Sequence, residues 1–147
     1  MYDLVYFTFD LITIDEKTLA KKLFDIVNHL HYFGESYYNY DLVKFSIIDS
    51  KILESIIEFM GEDKFVKVFE EILLNETPEP SIYKLMINLV LLKKYKLLVD
   101  ILQLYIVINN YHPKVKTLSK YLLDIKEAIR FKDRARVLRY IDDLNYL

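Results

Sequence analysis

The sequence predicts an α+β protein dominated by helix: two short N-terminal strands, each followed by a helix, and then a bundle of antiparallel helix pairs. Three observations lead there. Two N-terminal runs, Leu4 to Ile14 and Leu42 to Ile48, are rich in β-branched and aromatic residues. The segments between and after them carry apolar residues at helical spacing. Glycine is absent after Gly61, so the C-terminal part reads as helix throughout.

In the first run Val5, Phe7, Phe9 and Leu11 alternate with Tyr6, Thr8 and Asp10, which fits a half-buried strand. Leu4, Phe7, Leu11 and Ile14 also satisfy helical spacing, so β-propensity rather than period decides for the strand. Asp15 then serves as N-cap for a helix whose stripe is Leu19, Leu23, Ile26, Val27 and Leu30, ending near Gly34. Tyr37, Tyr38 and Tyr40 lead into the second strand, which stops at Asp49 and Ser50, both good caps for a helix from about Lys51 to Met60. Tyr2-Asp-Leu-Val recurs as Tyr40-Asp-Leu-Val at an offset of 38 residues, which suggests a duplicated β-α unit.

Beyond Gly61, Phe65, Val68, Phe69 and Ile72 share one face before a break at Thr77 to Pro80. Ser81 caps the next helix, on which Ile82, Leu85, Met86, Leu89 and Val90 stay in phase as far as a turn at Lys93 to Lys96. Leu97, Leu98, Ile101, Leu102 and Tyr105 resume the pattern until Asn109, Asn110 and Pro113 end it. These two helices are apolar around most of their circumference and should be central. Leu118, Leu122, Ile125 and Ile129 form the next stripe, whose phase slips between Phe131 and Asp133, where a kink or tight turn belongs. Helix pairs with turns near Gly61, Lys94 and Lys132 describe a bundle, since the tetratricopeptide and ankyrin signatures are absent.

With 147 residues, 53% hydrophobic and 29% charged, the chain has the length of one domain with its own core, expected to span residues 1–147. Cysteine is absent, which excludes a disulfide scaffold and a thiolate zinc site. The longest uncharged stretches, Leu85 to Leu92 and Ile101 to His112, are too short to span a bilayer, and Met1 to Thr13 lacks the basic start of a signal peptide. An intracellular, cytoplasmic protein with no membrane partner is expected. Scarce glycine with abundant Lys, Ile and Tyr also suits an AT-rich genome, such as that of a virus or a thermophile.

The net charge of −2 hides a polarity. Residues 1–80 hold 7 Lys and 16 acids, residues 81–147 hold 13 Lys or Arg and 6 acids, so the two parts carry −9 and +7. All four arginines, Arg130, Arg134, Arg136 and Arg139, fall within ten residues. With Lys126 and Lys132 they form a fork-like array for phosphates, extended upstream by Lys114, Lys116 and Lys120, with Tyr121 or Tyr140 as stacking surface. Against a binding role, Glu127 and Asp143 stand at pairing distance along the helix from Arg130 and Arg139. The tyrosines Tyr37, Tyr38 and Tyr40 are a second candidate contact, because tyrosine offers large area at small entropic cost.

The chemistry of catalysis is poorly represented. His29 and His31 stand two residues apart on a helix, pointing in nearly opposite directions, and His112 is remote, so no metal site is expected. There is no nucleophile elbow, and two isolated glycines cannot cradle a phosphate. Asp10, Asp15 and Asp49 follow the two strands, and a parallel strand pair would bring them together for Mg²⁺-dependent phosphodiester cleavage; helix capping explains Asp15 and Asp49 without it. The expectation is therefore a non-enzymatic interaction or assembly protein without cofactor, a homo-oligomer or bound to a protein partner through charge-polarised surfaces. Nucleic-acid binding through the basic C-terminal helices is the first alternative, and a metal-dependent nuclease the second.

Overall fold

The computed structural model describes residues 2–29, 35–75, 79–109 and 115–145. Among them lie nine helices and no strand: α1 (Tyr2–Thr13), α2 (Lys17–His29), α3 (Glu35–Ser46), α4 (Ser50–Met60), α5 (Glu62–Asn75), α6 (Glu79–Leu91), α7 (Tyr95–Ile108), α8 (Val115–Arg130) and α9 (Arg134–Asn145). The expected α+β class is therefore corrected to all-α, because both expected strands are helices.

The reason is visible in which side chains are covered. In α1 the buried residues are Val5, Thr8, Phe9 and Ile12, spaced i, i+3, i+4, i+7 on one helical face. Phe7, which an alternating strand would place beside Val5 and Phe9, is 53% exposed. Thr8 and Thr13, both β-branched, donate their hydroxyls to the carbonyls of Leu4 and Phe9, four residues back, at 2.8 and 2.9 Å. In α3, Tyr38, Asn39, Leu42, Val43 and Ser46 are buried, again at helical period, so the tyrosine cluster lies within the helix. Packing against neighbouring helices outweighs a β-propensity that spans only about 1 kcal/mol. The duplicated β-α unit falls with the strands.

The chain divides into two compact units, Met1–Ile72 and Leu73–Leu147, with the division inside α5. In the first unit α1 touches α2, α3 and α4, and α2 also touches α3 and α4. The covered face of α2 differs from the expected stripe: Ala20, Phe24 and Val27 are buried, Leu19 and Ile26 are exposed, and Leu30 lies outside the described residues. Phe24 sets that rotation, with its ring 6.4 Å from Tyr38 and 5.9 Å from Phe59. Two polar links run through this interior. The hydroxyls of Thr8 and Tyr38 meet at 2.8 Å. The amides of Asn28 and Asn39 exchange two hydrogen bonds, at 3.2 and 2.7 Å, and Lys64 donates to Asn28 at 3.1 Å.

In the second unit α6 touches α7, α7 touches α8, α8 touches α9, and α9 returns to α6, a four-helix ring of successive neighbours. Leu85, Leu89, Leu97, Ile101, Ile125 and Ile141 fill its centre. The helix expected to start at Ser81 begins two residues earlier, at Glu79. The turns at 92–94 and 131–133 stand where the stripes change phase in the sequence.

Three turns share one construction. After α1, α6 and α8, Asp15, Lys93 and Lys132 adopt φ of 63°, 59° and 57°. The next N–H reaches back five residues, from Glu16 to Leu11, Lys94 to Leu89 and Asp133 to Ala128, while the left-handed residue itself bonds three residues back. This is the Schellman motif. The same Glu16, Lys94 and Asp133 then accept the first bond of the following helix, so each reversal takes three residues. The turn between α3 and α4 works differently: Asp49 accepts from the N–H groups of Lys51 and Ile52 at 2.9 and 3.1 Å, as an N-cap.

Two measurements check this account. Asp49→Ala is expected to lower unfolding free energy by about 1 kcal/mol in urea titrations, since it strips the cap from α4. Burial pushes the Tyr38 hydroxyl up to about 12, against an ordinary value of 10, with the Thr8 hydrogen bond working in the opposite sense. The native state therefore favours the neutral phenol, and its contribution is intact below pH 10 and lost as pH rises from 10 through 12. Tyr38→Phe should reduce that alkaline loss of stability while costing about 1 kcal/mol at neutral pH for the missing hydrogen bond.

Candidate functional site

The arginine segment occupies the hairpin of α8 and α9, and its geometry follows from the turn at 131–133. Asp133 ends the turn and its carboxylate accepts the N–H of Arg136 at 3.1 Å, capping α9. Val137 and Ile141 face the interior of the bundle. That anchoring leaves Arg134 and Arg139 exposed and Arg136 half-buried at the edge. On α8, with Ile125 and Ala128 buried, the opposite face presents Lys116, Lys120, Lys126 and Arg130, all exposed, with Glu127 among them.

Tyr140 organises the arginines around it. The Arg136 Nε donates to the Tyr140 hydroxyl at 3.1 Å, and the Arg136 and Arg139 guanidinium carbons lie 5.5 and 5.6 Å from the centre of its ring. Tyr121 meets the same ring edge-on at 5.9 Å. The hydrogen bond to Tyr140 raises the Arg136 pKa above its ordinary value, so the group stays charged. Arg130 lies 5.9 Å from the ring of Phe131, which is exposed at the turn.

Charge pairing is where the structure departs most from the sequence pattern. Among the described residues, none of Lys126, Arg130, Lys132, Arg134, Arg136 and Arg139 has a carboxylate within 4 Å, so neither Glu127 nor Asp143 neutralises its helical neighbour. The ion pairs present lie elsewhere, such as Lys51 with Asp15 at 2.6 Å, Lys21 with Asp25, and Lys96 with Asp100. The hairpin cations are thus outside direct ion pairs, with Glu127 and Asp133 acting on the Arg136 guanidinium only through space.

The other candidate residues separate. Tyr38 has no exposed surface and belongs to the interior, which removes it as a partner contact; Tyr37 is 64% exposed and Tyr40 half-buried. Asp15 pairs with Lys51, Asp49 caps α4 and Asp10 is exposed on α1, so the strand ends that were to gather these carboxylates do not exist. Among the described residues no three His, Asp or Glu side chains stand close enough to hold a metal ion. His29 is exposed at the end of α2, while His31, His112 and Lys114 lie outside the described residues. Among the described residues no helix is long and apolar enough to cross a membrane.

One feature escaped the sequence pattern altogether. A pocket of about 520 Å³ opens between the turns 92–94 and 131–133, lined by Lys93, Tyr95, Ala128, Ile129, Lys132, Asp133, Arg134 and Val137. Its two lysines are 39 positions apart in the chain. The signal that finds them is topological: in an up-and-down ring, alternate turns fall at the same end. No protein-family model, curated protein or solved structure matches this chain.

Proposed function

We propose that this is a non-enzymatic interaction or assembly protein that docks through charge-polarised surfaces, the α8–α9 hairpin being its cationic face. The observation that carries the reading is the coincidence of charge with architecture. The unit Met1–Ile72 contains 7 Lys and 14 acids, and the unit Leu73–Leu147 contains 13 Lys or Arg and 8 acids. Arginines left without carboxylate partners supply planar, forked donors to an acidic surface. Opposed fields of this kind accelerate encounter and fix orientation more than they add affinity. A second copy of the chain offers the complementary acidic unit. Exposed apolar side chains, among them Ile26, Ile48 and Phe131, give such an interface its dry contact.

Light scattering across concentration and salt tests the reading. At low salt the mass should exceed 17.7 kDa, and it should return toward that value in high salt or with Arg130→Glu and Arg139→Glu together. A mass of 17.7 kDa at every concentration, unmoved by the substitutions, removes self-association.

Nucleic-acid binding is the second reading, favoured by the row Lys116, Lys120, Lys126 and Arg130 along one face of α8. Fourteen residues of helix extend about 21 Å, a span that follows several phosphates of a backbone. Four such contacts on duplex DNA would make log K fall with log salt at a slope of about −3.6. Lys126→Glu with Arg130→Glu should flatten that slope by about two in fluorescence anisotropy. Binding that ignores salt excludes this reading.

A further inference from the structure

The geometry points to a ligand site that the charge-polarised reading does not require: the pocket between the turns 92–94 and 131–133 takes a small organic anion, a phosphate or carboxylate head on a short apolar body. Lys132 and Arg134 are shared with the cationic hairpin, whereas Lys93 and Tyr95 come from outside it.

Three features combine there. First, three of the lining side chains are cations, Lys93, Lys132 and Arg134, and among the described residues none has a carboxylate within 4 Å. The single acid, Asp133, has its Oδ1 turned to the N–H of Arg136 as a cap. The rim therefore carries a net positive charge, three cations against the one carboxylate of Asp133. Second, the accessible apolar lining comes from Tyr95 and Ile129, both half-buried, with Ala128 and Val137 closed off behind them. An inorganic ion would leave that lining wet, whereas an aryl or alkyl arm covers it. Third, the volume of about 520 Å³ lies within the range of sites that hold small organic ligands.

The fold also makes this arrangement stiff. Lys93 and Lys132 each sit at the left-handed position of a Schellman turn, held by back-bonds from Lys93 to Val90 and Lys132 to Ile129 at 3.0 Å. Their backbones are fixed, which keeps both lysines at the mouth of the pocket, while the side chains stay free to close on a ligand.

Calorimetric titration of the full chain with four probes tests the site. Phenyl phosphate and phenylacetate carry the two headgroups on a similar arm, inorganic phosphate is a head without an arm, and benzyl alcohol an arm without charge. Saturable binding of at least one aryl anion is expected, about tenfold tighter than inorganic phosphate, with no binding of benzyl alcohol. The comparison of the two aryl anions identifies the headgroup. Lys93→Asn with Lys132→Asn removes two charges while keeping a residue that tolerates positive φ, so folding is preserved and affinity should fall at least about tenfold. Arg134→Gln, at an exposed position, should weaken binding on its own. The inference is overturned if neither aryl anion saturates, if inorganic phosphate binds as tightly, or if the variants bind as the parent does. Lys93→Asn alone, outside the α8–α9 hairpin, should weaken aryl-anion binding and leave the light-scattering mass as in the parent, which separates this outcome from the docking reading.

Discussion

Everything in this chain depends on reversing direction in three residues almost without glycine. A helix that ends has four carbonyls to satisfy, and glycine is the residue that normally turns the backbone into the left-handed region to do so. Here Asp15, Lys93 and Lys132 accept that conformation, at a cost of roughly 1 kcal/mol or more each. Packing must offset it, and the interiors they join are rich enough in buried Leu, Ile and Phe to do so. The return is geometric: each turn sets the following helix antiparallel and in a fixed phase. The buried stripe, the exposed cations and the lining of the pocket all follow from that phase.

How much of this could be read from the sequence differs between its two parts. In the C-terminal part the apolar stripes of α6 to α9 are long and the phase slips at Lys93 and Phe131 are clean, so helices and turns are legible. In the N-terminal part Leu4 to Ile14 is apolar at both periods, and only contact with other helices decides between them. The stripe Leu19, Leu23, Ile26 was legible as helix and misleading as to its face, because Phe24 lies beside it and larger aromatic neighbours bury that side instead. The left-handed lysines carried no signal, since lysine is not the residue that such a turn prefers.

The candidate site divides along the same line. The clustering of arginines is a property of the sequence, and the exposure of most of them follows from helical spacing once Val137 and Ile141 face inward. Their freedom from Glu127 and Asp143 is a matter of rotamers and local geometry, which spacing does not contain. The pocket is further removed, because it joins residues from two turns and exists only in the assembled ring. Tyr140, placed between Arg136 and Arg139, converts flexible side chains into an oriented pair, which matters for recognition because less rotameric freedom remains to be lost.

The ring of α6 to α9 has a consequence for how the chain reaches its native state. Three of its four helix contacts join sequence neighbours across hairpin connections, and only the contact of α6 with α9 closes over a long stretch of chain. Contacts so local keep the relative contact order low, which places such a unit among domains that fold in microseconds to milliseconds. Each hairpin can form on its own before the last contact is made, so the entropic barrier is concentrated in one closure. Synthesis from the ribosome suits this order, because α9, which completes the ring, emerges after α6, α7 and α8.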